Sequence, residues 1–421
     1  MRNILAALVG IAALSACSSA GGSSAPVEVW DSAGVTIVQS HEPQWGEGEG
    51  WSVPSEPQVT IGVLDGPREY ELFDVSAAAR QSDGDIVVVD GGAREVRLYD
   101  RDGTFVRTLG GPGSGPGEFE NPTGVLIAAA DSAIVWDDAI YRFTRFDSAG
   151  ELVAIESVDR GTVAKAIDPP LYPGPAVLLQ DDQVLVRLLE KGEPAAPTPG
   201  VFRPRSGALR VSADLSNIDT LMFFGGIEQV YVDAPWGGQK AGPLPVVPPL
   251  ARRTLTAVAA ALSRVCIGDQ ERPQVVCFGS AAWRTVIRWP AEAEPVTEEE
   301  IAAWRDTTLA LYAQKMSEDA ALQLLARVAV PTVRPPYSWM AVDRVGNLWV
   351  RPGGQSVGPA DSVDHLVFDP TGVLLGVVAL PPIEVLEIGD DYVMGISRDY
   401  LEIQYLQVHE LVKDPARTLD P

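Results

Sequence analysis

The sequence predicts an all-β fold, a six-bladed β-propeller with four-stranded antiparallel blades and a small helical insertion. Three observations lead there. The chain holds 40 Gly and 34 Pro and is still 46% hydrophobic, a composition of many short strands and turns rather than of long helices. Strands with apolar residues at every second position recur in groups separated by turn residues. A short motif, an apolar or aromatic residue followed by Asp, two residues and Gly, returns at positions 30–34, 99–103, 146–150 and 368–372. Acid and glycine suit the tight turn between the last two strands of a sheet.

The chain begins with a different kind of segment. One positive charge at Arg2 precedes an apolar run over residues 4–14, too short to span a membrane and of signal-peptide length. Leu14-Ser15-Ala16-Cys17 follows. This resembles the lipobox of bacterial lipoprotein precursors, which implies cleavage before Cys17 and attachment of a diacylglycerol to its thiol. Residues 1–16 are thus expected to be a signal peptide. Residues 17–26, rich in Ser and Gly, are expected to be a flexible tether, and residues 27–421 the propeller. Ser18 after the cysteine implies, by the same resemblance, the outer membrane, facing the periplasm or the cell surface.

The first repeat is the clearest. A turn at Asp83-Gly84 leads into an apolar strand ending on Asp90. Alternating strands around Val96 and Leu98 and around residues 104–110 follow, with Asp102-Gly103 turning between them. The same order returns over residues 133–155 and 343–380. Four-stranded meanders repeating every roughly 40–50 residues are the pattern of a propeller, in which each blade covers its neighbour's apolar face.

Residues 109–125, Leu-Gly-Gly-Pro-Gly-Ser-Gly-Pro-Gly-Glu-Phe-Glu-Asn-Pro-Thr-Gly-Val, then resemble the blade junction of NHL-type propellers. In that family a fourth strand ends in Phe-Gly or Leu-Gly, a Gly-rich loop with Gly-x-Phe follows, and Pro-x-Gly opens the next blade. The resemblance is strong over residues 79–125 and loose elsewhere, and it implies the six-bladed NHL-related propellers found as bacterial lipoproteins.

Blades are expected at about 73–110, 122–157, 175–224 with a Pro-rich loop at 192–205, 252–290 and 337–381. The sixth takes residues 383–386, 392–397 and 401–411. Residues 58–62, ending in Ile-Gly, supply its missing fourth strand and close the ring. Residues 27–39 have no place in this count; an added edge strand would accommodate them. The helical insertion is expected at about 297–328. Thr297 and Glu300 form a capping box, and Ile301, Trp304, Thr308, Leu311 and Tyr312 follow at helical spacing. It is either a lid over one end of the channel or a decoration on a blade edge.

Functional candidates are few. Cys266 and Cys277, on two arms of a hairpin, either form a disulfide or remain buried thiols. The histidines, His41, His365 and His409, are scattered, and no hydrolase motif is present. The Gly-rich stretch 110–117 lacks the spacing and the Lys of a phosphate loop. Asp83 with Asp85, Asp100 with Asp102, Asp181 with Asp182 and Asp390 with Asp391 are oxygen ligands of the type calcium takes, without a complete calcium loop. No cofactor is expected; calcium is the alternative. Trp236, between Ala234-Pro235 and Gly237-Gly238, reads as a loop aromatic able to stack a sugar or peptide.

With 32 basic and 57 acidic residues the net charge is −25, which argues against nucleic acid and anionic lipid as partners. The expected function is a cell-envelope binding or scaffold module, a monomer held to the membrane only by its lipid, with a protein, peptide or glycan partner. The alternative, also implied by the resemblance, is a metal-dependent hydrolase or lyase of lactonase type with an ion in the channel. The mostly apolar first-strand regions, around residues 77–80, 126–130, 176–179 and 254–261, count against that alternative.

Overall fold

The computed structural model describes residues 25–413 except 47, 166–170, 180–182, 191–199, 213–216, 237–238, 280–282 and 354–361. Cys17 and the signal segment, like Asp181 and Asp182, lie outside the described residues. Among those described, the chain forms six four-stranded antiparallel units, two of them extended by extra strands, and one three-stranded sheet. The fold is all-β, a propeller: the first strand of every four-stranded unit faces a single central cavity.

Blade one is built from Val75–Arg80, Ile86–Asp90, Glu95–Tyr99 and Phe105–Pro112. Its second strand is buried along its whole length, as is Ala133–Asp137 in blade two. Each lies between neighbouring blades, so both of its faces must be apolar and the sequence runs unbroken instead of alternating. The outer strand of blade five, Leu374–Leu380, has one wet face and alternates. The acids that end the second strands fasten the connection entering their own blade. Asp90, fully buried, accepts from the amides of Phe73 (3.2 Å), Asp74 (3.2 Å) and Ala93 (3.0 Å). Asp137 accepts from those of Glu120 (2.7 Å), Asn121 (3.2 Å) and Ala139 (3.0 Å). Buried carboxylates are tolerable only when so paired.

The recurrent Asp–Gly motif has a local and a long-range purpose. Asp100 Oδ1 accepts from the amides of Asp102 (3.0 Å) and Thr104 (2.8 Å), and Gly103 then turns with φ 82°. Asp147 and Gly150 repeat this in blade two, and Asp369 and Gly372 in blade five. Each glycine also presses on the fourth strand of the preceding blade. A Cβ at Gly150 would come within 2.4 Å of Leu109 Cδ2. The motif is therefore a blade-to-blade contact as well as a turn.

Val59–Ile61 is the fourth strand of blade six, antiparallel to Gln404–Glu410, so the two ends of the chain share a sheet. The segment before it is more than an edge strand. Val35–Ser40 runs parallel to the last strand of blade four, Arg284–Arg288, and Val27–Ser32 pairs outside it. The chain then crosses blade five, where the amides of Gln44 and Trp45 donate to Leu374 and Leu375. Trp45 stacks near Trp51 (5.3 Å), which stacks near Trp349 (5.9 Å), and Ser52 bridges to Val412 beyond blade six.

The helical insertion is neither a lid alone nor a decoration on a blade. Helices Glu298–Ala313 and Glu318–Leu325 pack on a three-stranded sheet of Gly200–Phe202, Gln229–Trp236 and Gln239–Val246. They share a core of Val230, Val232, Val246, Leu324, Leu325 and Val328. Trp304 Nε1 donates to Val247 O (3.1 Å), and Arg327 donates to Asp233 O (2.7 Å). Residues 200–202 of the expected Pro-rich loop, and Trp236, belong to this accessory unit; residues 192–199 lie outside the described residues. It was hidden because its pieces come from three separate connections.

Candidate functional site

Antiparallel order assigns every connection to one of two faces. First strands start at the near face and end at the far face. The links between blades, and those between second and third strands, therefore lie on the near face. All three pieces of the accessory unit are such links, so it stands on the near face beside blades three to five.

The central cavity has a volume of about 760 Å³. Its wall is mainly apolar: Ala78 from blade one, Val125 and Leu126 from two, Val177 from three, Ala257 and Ala259 from four, Met340 and Ala341 from five, Leu386 from six. Small and branched side chains here follow from the crowding of six strands around one axis. Three carboxylates border it, Asp138, Asp343 and Glu387. Asp343 accepts from the amides of Val345 and Asn347 and from Asn347 Nδ2 and Trp349 Nε1. Asp138 accepts from Trp136 Nε1 (3.1 Å).

Glu387 closes the far end and is held by three blades. Its Oε1 accepts from Arg344 Nε (2.9 Å) and Nη2 (2.7 Å), its Oε2 from the Arg80 amide (3.0 Å) and the Tyr392 hydroxyl (2.5 Å). Arg344 Nη2 also donates to Arg80 O (2.5 Å), and the Arg80 guanidinium lies over the Tyr392 ring at 4.8 Å. Burial, then the Glu387 charge, hold the Tyr392 phenol far above its usual value, so it remains a donor. Burial works most strongly against the Arg344 charge, but Glu387, Tyr392 and Asp390 together outweigh it and the net shift is upward. The seam continues into blade two, where Ser82 N and Oγ donate to Asp131 (2.9 and 2.5 Å).

The near face carries a second feature. Leu64 and Phe73, in the link from blade six to blade one, are 56% and 63% exposed; Tyr400 and Leu401, in a turn of blade six, are 91% and 49% exposed. Gln404 brings the two segments together by accepting from the Val75 amide (2.8 Å). Asp399 shapes the turn, its Oδ1 accepting from the amides of Leu401 (2.8 Å) and Ile403 (3.0 Å). Residues 401–411 are expected to form one strand of blade six. The strand begins instead at Gln404, after a positive φ of 62° at Glu402.

The other candidates are dispersed. Cys266 and Cys277 face each other across the second and third strands of blade four, fully buried, Cα atoms 4.0 Å apart and sulfurs bonded. Trp236 is not in a loop: it ends the strand Gln229–Trp236, opposite Gln239, in the accessory sheet. The position of its side chain lies outside the described residues. His365 is buried beside Trp339 with Nδ1 2.9 Å from Val363 O, and burial pushes its pKa down to about 4. His41 lies 3.5 Å from Glu28, and His409 Nδ1 lies 3.0 Å from Pro54 O. Among the described residues no group of three or more His, Cys, Asp or Glu is gathered as an ion would require. The Gly-rich loop turns carbonyls, not amides, toward a charge: Arg142 donates to Ser114 O (3.0 Å), Gly115 O (3.1 Å) and Glu118 O. That is the reverse of a phosphate cradle.

No known protein family matches the chain, and no curated protein matches it. Solved structures similar to it in outline include a member of the DUF4221 family from Bacteroides vulgatus, at 9% identity and TM-score 0.48, covering 87% of this chain and 100% of that one. A protein described as exported, from Bacteroides fragilis, gives 10% identity and 0.44, covering 90% and 99%. Virginiamycin B lyase from Staphylococcus aureus gives 8% and 0.38, covering 86% and 100%. The propeller assignment rests on the strand order of this chain itself.

Proposed function

We propose that the chain is a lipid-anchored, six-bladed propeller of the NHL-like type that serves in the cell envelope as a binding module for a protein, peptide or glycan. The lipobox-like residues 14–17 and the tether after them support the location, with Cys17 as the attachment point. The observation that carries the binding reading is the state of the channel. Its wall is mainly apolar, and two of its carboxylates, Asp343 and Glu387, already accept four hydrogen bonds each from the scaffold. A carboxylate so engaged has no lone pair left for a proton or an ion, whereas an apolar concave wall suits a ligand or an inserted side chain.

The test is cross-linking of the full-length protein in its native membranes with an amine-reactive reagent, followed by mass spectrometry. A discrete adduct with another envelope component is expected. Recovery of uncross-linked monomer alone, together with turnover of a lactone or ester by the purified protein, would replace this reading with an enzymatic one.

A further inference from the structure

Four large apolar side chains gathered on one rim of a chain this acidic need an explanation. Apolar residues scattered singly on a surface are ordinary, but a contiguous group rimmed by polar residues marks a contact site. Leu64, Phe73, Tyr400 and Leu401 come from two neighbouring segments, and the turn built by Asp399 holds Tyr400 out at 91% exposure rather than letting it fold back. An aromatic residue displayed on a rigid turn is a low-entropy anchor of the kind that dominates protein interfaces. Phe73 leads into the first strand of blade one, whose Ser76 Oγ donates to Pro122 O (2.9 Å) beside Thr123 of the cavity wall.

The charge around it selects the partner. Asp65, Asp74, Asp399 and Glu402 lie within the same two segments. Two of the arginines nearby are engaged by acids, Arg68 with Glu95 at 2.6 Å and Arg398 with Glu384 at 3.0 Å, while Arg94, in the turn beside Phe73, is exposed. The local surroundings are therefore acidic, as is the chain as a whole at −25. A second copy of this chain, or an anionic bilayer, would meet repulsion there.

We propose that this near-face patch, between blades six and one, is the docking surface for a basic envelope protein that presents an apolar anchor within a cationic surround. The proposal rests on the binding reading above and names its surface and partner chemistry. Tyr400 and Phe73 supply the central contact, and the rim acids set orientation and speed of encounter.

The test places the photoreactive residue p-benzoylphenylalanine at position 400, at 73, and at 345 as a control. Val345 is 43% exposed and lies on the far face. The full-length protein is irradiated in its own membranes. One and the same partner is expected at 400 and 73, with a basic isoelectric point, and at least tenfold less adduct at 345. Raising the salt to about 0.5 M should lower the yield several-fold. The paired change Tyr400→Ser, Leu401→Ser should abolish the adduct at 73 while leaving the melting temperature unchanged. Adducts with a second copy, with lipid or with an acidic protein would overturn the proposal, as would equal yield at 345. Adducts found only elsewhere on the molecule would remove this surface and leave the binding reading standing. No adduct by photochemistry or by the amine-reactive reagent would remove both.

Discussion

Gly103, in the last turn of blade one, rests directly on Val59, in the strand that closes blade six: a Cβ on Gly103 would stand 2.9 Å from Val59 Cγ1. The same relation joins Gly150 to Leu109 and Gly372 to Ile287. At Gly103 the partner is the strand that blade six borrows from the start of the chain, whose pairing with Gln404–Glu410 closes the ring. Gly103 therefore packs blade one against the closing strand.

Gly103→Ala should therefore be costly. The left-handed φ of 82° and the close approach to Val59 both act, and together they are expected to remove about 2–4 kcal/mol. Gly111→Ala meets nothing within 4 Å and should change stability little. Urea unfolding of the two variants side by side checks this, and equal midpoints would show that the turn does not carry the joint.

Arg142 should behave as a structural cation. It organises the Gly-rich loop through three carbonyls and is about nine-tenths buried. Arg142→Met leaves those carbonyls without their donor and should cost about 3 kcal/mol. Hydrogen exchange should rise in the link residues 113–119 before it rises in the strands of blade two.

His365 makes the fold sensitive to acid. Its pKa falls from 6.5 to about 4 because burial disfavours the charged ring. The unfolded chain therefore binds this proton below about pH 6.5 while the folded one holds out until about pH 4, so stability falls as pH falls through that window. The difference corresponds to about 3 kcal/mol. His365→Phe should flatten the dependence of the unfolding free energy on pH between 6.5 and 4; an unchanged slope would assign it to other groups.

The Cys266–Cys277 bridge should contribute to folding and not to chemistry. Its loop is short, with a sequence separation of 11, and its loss should cost about 3 kcal/mol. The double change Cys266→Ala, Cys277→Ala should lower the melting temperature and make it insensitive to dithiothreitol.

The strands and turns were legible because the rules that build them are local. Val87–Val89 had to be buried on both faces, and Asp100 with Gly103 could only be a turn. The accessory unit was not legible, since Gly200–Phe202, Gln229–Trp236, Gln239–Val246 and the two helices meet only in three dimensions. Trp236 was misread for the same reason: its Pro and Gly neighbours suggest a loop until a partner strand is in view. The seam of Arg80, Arg344 and Glu387 joins residues from three blades, and no single stretch of sequence announces it. The display of Tyr400 was not legible, because it depends on a turn that the hydrogen bonds of Asp399 build only in the folded chain.

The channel wall is mainly apolar, and its carboxylates Asp343 and Glu387 are already engaged by the scaffold. The most direct measurement is a thermal melt of the full chain carrying Cys17→Ser, in EDTA and then in millimolar calcium. The account predicts the same melting temperature in both, within about 1 °C. A rise of several degrees with calcium would contradict it, because a folded-state ion stabilises in proportion to its binding. The channel would then have to be read as a metal site.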